Sequence, residues 1–215
     1  MTGCCDPRGC DQMFGRGFAR RMAKRYRRRG LDRTATRLVD HLAARQGGLT
    51  GATVLEVGGG VGEIAIELLR RGAASATVVE LSGSYDDEAA RLAAEAGVTG
   101  RVHRLIADVA VTPEAVETAD LVVLHRVVCC YPDYRRLLTA AADRCTDRLA
   151  FSHPPRNPVS RTLVATQNAV LALTRRQYRT FAHPPEAMLG ILEKRGMRAE
   201  LQYAGRLWQV EGLVR

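Results

Sequence analysis

Phe14, Phe18, Met22 and Tyr26 recur at every fourth position, which sets them on one stripe of a helix with arginines on its other faces. Gly30 ends that run. Asp32 or Thr34 can cap a second helix carrying Leu38, Val39 and Leu42 as far as Gly47-Gly48. From Thr53 the period changes. Thr53-Val54-Leu55-Glu56-Val57 reads as a strand, Gly58 to Gly62 as a tight turn, and Glu63 to Arg71 as a helix closed by Gly72.

The alternation then continues. Ala76 to Val79 is a second strand ending at Glu80, Ser84 to Ala96 a helix ended by Gly97, and Arg101 to Ala107 a third strand closed by Asp108. Asp120 to His125 is almost wholly apolar, as a central parallel strand buried on both faces should be. A helix over 133–145 leads to a fifth strand, Arg148 to Ser152, which His153-Pro154-Pro155 cannot extend. A helical pattern covers 159–178 and another starts at Pro184. Arg198 to Tyr203 and Leu207 to Val214 are joined by Ala204-Gly205, too short to link parallel strands, so the last strand runs antiparallel. The expectation is an α/β fold: a Rossmann-like, seven-stranded, mostly parallel sheet with one antiparallel strand and helices on both faces. Residues 1–48 form a basic helical cap, its first thirteen residues a poorly ordered lead-in, and 49–215 form the sheet domain.

Charge sharpens this division. Between Arg16 and Arg37 stand ten basic residues and one acid, Asp32, a net +9 equal to that of the whole 215-residue chain, so the rest is balanced. The cap is therefore a lid over a cleft, an anion-attracting arm, or a helix whose charged face is simply solvated. Hydrophobic residues make up 46% and charged residues 26%, a globular balance, and no apolar run reaches the roughly twenty residues of a membrane span. The N-terminus lacks a basic stretch followed by an apolar core, so a cytoplasmic location is expected. The cysteines, Cys4, Cys5, Cys10, Cys129, Cys130 and Cys145, are expected as thiols there, and no metal site is expected. A zinc site would need Cys129 and Cys130 brought close to the N-terminal group.

The chemistry centres on the glycine turn. Glycines there let the chain turn through angles a Cβ forbids and let a ligand approach the main chain. Gly60-Val61-Gly62-Glu63-Ile64-Ala65 also fits a dinucleotide fingerprint, so the flanks must decide. Glu56 stands just ahead of Gly58, Gly60 and Gly62, and Glu80 ends the second strand, where a carboxylate suits two ribose hydroxyls. On these residues the chain resembles the class I S-adenosylmethionine-dependent methyltransferases. The resemblance implies that S-adenosylmethionine is the cofactor: the turn lies under its methionine part and ribose, Glu56 helps hold the amino group and Glu80 accepts from the ribose. It also implies that Asp108 accepts from the adenine amino group between Leu81, Val109 and Leu124. Asp108 as a plain turn residue is the competing reading.

The acceptor end falls to the segment from His125 to Asp133, with Tyr26, His153 and His183. His125 is a candidate base or a hydrogen-bonded spacer. Arg126 is the candidate for a substrate carboxylate, because its fork binds one bidentately; an ion pair with Glu56 or Asp120 competes. Cys130-Tyr131-Pro132, Phe181-Ala182-His183-Pro184 and Trp208-Gln209-Val210 are similar to the magnesium protoporphyrin O-methyltransferases, with Tyr26 at the place of that family's N-terminal helix tyrosine. That family carries Asp where this chain has Arg126 and His where it has Cys130. The expected activity is methyl transfer to a small molecule, at a carboxylate or hydroxyl oxygen of a porphyrin-like or other planar metabolite, with His125, Arg126 and Tyr26 as catalytic residues. Two alternatives stand beside it: a nucleic-acid methyltransferase using the arginine helix, and a non-catalytic nucleotide-like binding protein.

Overall fold

The computed structural model describes Gly9 and residues 13–215, so Cys4, Cys5, Cys10 and most of the expected lead-in lie outside the described residues. Two helices precede the sheet, α1 (Arg16–Arg29) and α2 (Arg33–Ala43). Between them Asp32 Oδ1 accepts from the N–H groups of Thr34 and Ala35, each at 2.9 Å, so Asp32 is the cap. The chain then runs β1 (Thr53–Val57), α3 (Glu63–Arg70), β2 (Ser75–Glu80), α4 (Asp86–Glu95), β3 (Val102–Ile106) and β4 (Ala119–Leu124). It continues through α5 (Tyr134–Asp143), β5 (Cys145–His153), α6 (Pro158–Leu173), α7 (Pro185–Glu193), β6 (Arg198–Ala204) and β7 (Gln209–Val214).

The seven strands form one sheet in the order β3-β2-β1-β4-β5-β7-β6. β1 through β5 pair in parallel; β7 pairs antiparallel with both β5 and β6 and is the one reversed strand, as the short last connection required. The chain moves outward from β1 to β3 on one side and returns to place β4 on the other. The switch point therefore lies between β1 and β4, where ligands collect beyond the strand ends of open α/β sheets.

Each face of the sheet is covered. On one, Leu38, Leu42, Ile64, Leu68 and Leu121 join helices α1 to α4 to the strands; on the other, Leu55, Val122, Leu138, Phe151, Met188 and Leu192 join α5 and α7. Central β4 is buried from Leu121 to Leu124, which is why it reads as an unbroken apolar run. The basic α1 belongs to the first core through the fully buried Ala19 and Ala23. It is also fastened to α4: Arg27 Nε lies 2.8 Å from Glu95 Oε2, and Arg27 Nη1 lies 3.4 Å from Glu88 Oε2.

Several boundaries differ from the periodicity; β5 begins at Cys145, three residues earlier than expected, and the helix before it ends at Asp143. The helix expected to reach Tyr178 stops at Leu173, because Arg175 takes a left-handed conformation (φ 55°). There the N–H groups of Arg175 and Arg176 close back on the carbonyls of Ala172 and Leu171, a Schellman-type end that an apolar pattern does not reveal. β7 begins at Gln209, two residues later than expected. Among the described residues no helix is long and apolar enough to cross a membrane.

Candidate active site

At the switch point the chain leaves β1 through Gly58 (φ 65°), Gly60 (φ 54°) and Gly62 (φ 78°), backbone that only glycine adopts freely. A side chain on Gly58 would run into Val127 of the loop after β4, so this glycine also lets the two strand ends meet. The turn delivers α3 with its first N–H groups under the loop. Glu56 Oε2 accepts from Ala65 N–H at 2.9 Å, a carboxyl aimed at a helix N-terminus. Glu56 is buried (2% exposed). Burial and the neighbouring Glu63 carboxyl push its pKa up to about 8, against the pull of the Ala65 N–H.

Around this turn opens a cavity of about 670 Å³. One end is walled by Glu56, Gly58, Gly60, Glu80, Leu81, Asp108 and Val109, all singled out from the sequence. Gly62 is absent from the wall, one step further into the turn, and Leu124 is fully buried behind it. Burial raises Glu80 to about 7, opposed by Arg104 and by the backbone N–H groups of Leu81 and Gly60. Asp108 is both a turn residue and a wall residue: Oδ1 accepts from Ala110 N–H at 3.1 Å and from the Tyr131 hydroxyl at 2.9 Å.

The other end is built by α1, the loop after β4, and the segment after α6. Phe18, Arg21, Met22 and Arg25 come from α1, and Phe14 from just ahead of it, since the helix starts at Arg16 and not at Phe14; His125, Arg126, Cys129, Cys130, Tyr178, Phe181 and Trp208 complete it. The arginine helix thus faces the cleft with its apolar stripe and two of its cations. Tyr26, the fourth member of that stripe, does not line the cavity; one turn further along, its Oη lies 3.3 Å from Arg70 Nη1, on the side of α3. His153 and His183 are likewise outside the wall. His153 lies between Pro154 O (3.0 Å) and Glu211 (3.4 Å), and His183 Nε2 lies 2.9 Å from Tyr131 O.

His125 and Arg126 do reach the cleft. His125 Nδ1 is 3.0 Å from Ser152 Oγ, which also accepts Arg126 N–H at 2.9 Å. Burial, then the adjacent Arg126 cation, pushes His125 down to about 4, so its imidazole is neutral near pH 7. Arg126 has φ 61°, a rare conformation for a non-glycine residue, and its side chain fixes it there: Nη2 is 2.6 Å from Asp32 Oδ2 and the guanidinium lies 4.9 Å from the Trp208 ring centre. The ion-pair partner is thus Asp32 and neither Glu56 nor Asp120; Asp120 instead accepts from Thr53 N–H at 2.8 Å.

Among the wall residues that the sequence did not assign to the site are Glu63, Arg25 and Tyr178. Glu63 is buried at the first turn of α3, its Oε2 has no hydrogen-bond partner, and burial raises its pKa. Its one sequence signal is its place directly after Gly62. Among the described residues no three His, Cys, Asp or Glu side chains are grouped to hold a metal ion.

A methyltransferase-domain family matches residues 54–147, from β1 through the start of β5, the segment that contains the glycine turn and both strand-end carboxylates. Residues 54–147 are a methyltransferase domain, and the chain has the fold of the class I S-adenosylmethionine-dependent methyltransferases. Among solved structures, the methyltransferase is similar to the magnesium protoporphyrin IX methyltransferase of Synechocystis PCC 6803 with bound S-adenosylhomocysteine, at 21% identity and TM-score 0.71, covering 95% of this chain and 99% of that one. It is similar also to an O-methyltransferase family 2 protein of Planctomyces limnophilus in complex with apigenin, at 20% identity and TM-score 0.67, covering 93% of this chain and 61% of that one. An O-methyltransferase family protein of Burkholderia thailandensis gives 17% identity and TM-score 0.68 over 92% of this chain and 59% of that one. No curated protein matches the chain in sequence.

The cofactor of this domain is S-adenosylmethionine, and the cavity suits it. A glycine turn on the cavity wall where a Cβ on Gly58 or Gly59 would clash, two carboxyls of raised pKa beside it, and the apolar side chains of Leu81 and Val109 answer a cationic, ribose-bearing, aromatic ligand.

Proposed function

We propose that this methyltransferase methylates an acidic oxygen of a planar small molecule. The observation that carries this reading is the outer wall of the cavity, where aromatic rings stand beside an excess of guanidinium charge. Arg25 and Arg126 share the single carboxylate of Asp32, at 3.4 and 2.6 Å, and Arg21 lies 5.7 Å from the Phe18 ring centre. Two cations against one anion leave positive charge facing the cleft, and Phe14, Phe18, Phe181 and Trp208 offer flat apolar faces beside it. An anionic planar acceptor satisfies both.

When bound, S-adenosylmethionine supplies a methyl group already activated by a positive sulfonium. The chain's own residues have the remaining tasks. Glu80 and the Gly60 turn would hold the ribose end, Glu56 and Glu63 would offer carboxyl oxygens to the ammonium group, and Leu81, Val109 and Asp108 would receive the adenine. The α1 stripe closes the acceptor end and excludes water. His125 is a poor base, since a group titrating near 4 takes few protons from a hydroxyl. That favours an acceptor oxygen already ionised, a carboxylate or an acidic phenol, over an alkyl hydroxyl. In this reading His125 positions Arg126 through their shared partner Ser152.

The test begins with calorimetric titration by S-adenosylmethionine, S-adenosylhomocysteine and NAD. Planar carboxylates and phenols are then incubated with methyl-labelled cofactor and the products treated with mild alkali. Selective binding of the two adenosyl sulfur ligands and an alkali-labile methyl ester, or a stable ether from an acidic phenol, are the expected results. Transfer only to neutral amines or to nucleic acid would overturn the proposal. Binding without transfer to any acceptor would return the reading of a non-catalytic binder.

A further inference from the structure

Cys129 and Cys130 are neighbours in sequence and in space: their sulfurs are 3.6 Å apart, and both line the acceptor end of the cavity. Both thiols point to one side of the loop after β4, each within 3.5 Å of the same carbonyl oxygen, that of Arg126. Tyr178 Oη lies 2.8 Å from the Cys130 sulfur, and Phe14 packs edge-on against the Tyr178 ring with centroids 5.1 Å apart. The pair is therefore held by its surroundings on the cleft wall, with Cys129 buried, Cys130 partly exposed and aromatic rings beside them.

We propose that Cys129 and Cys130 are a two-thiol chelating site for a thiophilic ligand of the trivalent arsenical class. The spacing carries the argument. Two sulfurs bound at about 2.3 Å to one atom with near-tetrahedral angles stand about 3.8 Å apart, close to the separation present here. A linear two-coordinate ion would need its sulfurs on opposite sides, nearly twice a bond length apart, and does not fit. Zinc would require further protein ligands, and no third His, Cys, Asp or Glu joins the pair among the described residues. A trivalent arsenic atom bearing one organic substituent needs two thiolates and nothing more, and soft thiolates prefer it. The contact with Cys129, opposed by burial and aided by the Tyr178 hydroxyl, holds the Cys130 thiol below its ordinary range, which favours attack by that sulfur first. The step balances without an oxidant. An arsenic–oxygen unit exchanges its oxygen for two arsenic–sulfur bonds, and the oxygen leaves as water with the two thiol protons.

This site is independent of the acceptor proposed above, because its readout is binding. The experiment is titration of the full-length protein with phenylarsine oxide, followed by intact mass, count of remaining thiols and dithiol reversal. The expected result is one equivalent bound with loss of two thiols, stable to excess monothiol and reversed by a dithiol. It should persist when Cys4, Cys5 and Cys10 are all replaced by Ser, and disappear in Cys129→Ser and in Cys130→Ser. Mapping supplies a check that needs no variant: after alkylation of the remaining thiols in the wild-type adduct and digestion, the peptide containing 129–130 should be the unalkylated one. Absence of a monothiol-resistant adduct, its persistence in Cys129→Ser, its loss with the N-terminal replacements, or protection mapped elsewhere would overturn the proposal.

Discussion

Arg126 Nη2 lies 2.6 Å from Asp32 Oδ2 across 94 positions of sequence, so the loop after β4 and the cap of α2 are one structure. Asp32 is spent three ways: Oδ1 caps the helix, and Oδ2 meets Arg126 and, at 3.4 Å, Arg25. Burial alone would raise its pKa, but the Ala35 N–H and the Arg126 cation bring it below the usual carboxylate range. Asp32→Asn keeps a capping oxygen and removes the charge. With Arg126 partly exposed the pair is screened, so the expected loss is about 1 kcal/mol at neutral pH. A depressed carboxyl stabilises above its unfolded value and loses that contribution in acid, so the difference between variant and wild type should vanish as the pH falls below about 4. Denaturant titrations at pH 7 and pH 3 check it; an equal difference at both would mean that the carboxylate charge contributes nothing.

Arg126→Leu removes one cation from the outer wall of the cavity and leaves Arg25 and the glycine turn intact. Turnover of an anionic acceptor should fall about tenfold or more, the scale of one charge-assisted hydrogen bond, while the Kd for S-adenosylhomocysteine stays within about twofold. Unchanged kinetics with the true acceptor would remove Arg126 from substrate binding and leave it as the latch to Asp32.

At the cofactor end, Gly60→Val forces a β-branched residue into φ 54° and sets its Cβ 3.4 Å from Met22 and 3.5 Å from the Tyr85 ring. Such strain costs about 1–3 kcal/mol, and the side chain narrows the cradle. Glu80→Ala removes an acceptor without a side chain to clash. Both should weaken S-adenosylmethionine binding about tenfold or more, with the fold retained by circular dichroism. Full affinity in both would show that the ligand is held elsewhere than the first two strand ends.

The sheet was legible because its period changes are strong: the unbroken apolar run over 121–124 and the glycine turn after Val57 each permit one reading. One end of the cavity was legible for the same reason, since strand ends and cavity wall coincide at Glu56, Glu80 and Asp108. The acceptor end was not. Its residues come from α1, from the loop after β4 and from 178–181, and only packing brings these together. Tyr26 shares a helical stripe with Phe18 and Met22, yet one further turn of helix carries it past the cavity to Arg70. Asp32 as the partner of Arg126 had no local signal, because nothing in the spacing of 94 residues announces a contact.

His125 supplies a kinetic test of the acceptor's chemistry. A working general base contributes about 10²–10⁴-fold, whereas a neutral spacer titrating near 4 contributes orientation alone. His125→Ala should therefore cost less than about tenfold in kcat with a carboxylate acceptor, and the wild-type rate should show no ionisation assignable to His125 between pH 6 and 8. A loss of a hundredfold or more, with a wild-type inflection near pH 6.5 that the variant lacks, would make His125 the base and point to a hydroxyl acceptor.

Glu56 couples stability, pH and cofactor. Its folded pKa of about 8 lies above the ordinary carboxyl value, so the native state binds a proton that the unfolded chain has released. Its contribution to stability is therefore full below about pH 4.5 and lost as the pH rises toward 8, and Glu80 acts in the same sense up to about 7. Glu56→Gln keeps an oxygen for the Ala65 N–H and cannot ionise. It should be more stable than wild type at pH 8, with the difference shrinking toward zero at pH 5, as read from denaturant midpoints. A bound cationic cofactor has the opposite effect on the wild type: it favours the charged carboxylates and expels their protons. Calorimetric titration with S-adenosylmethionine in two buffers of different ionisation heat should show proton release at pH 6.5, fading above pH 9 and reduced in Glu56→Gln. Heats that do not depend on the buffer, together with a pH-independent stability difference, would mean that Glu56 is already ionised in the free protein and that its contact with the start of α3 outweighs its burial.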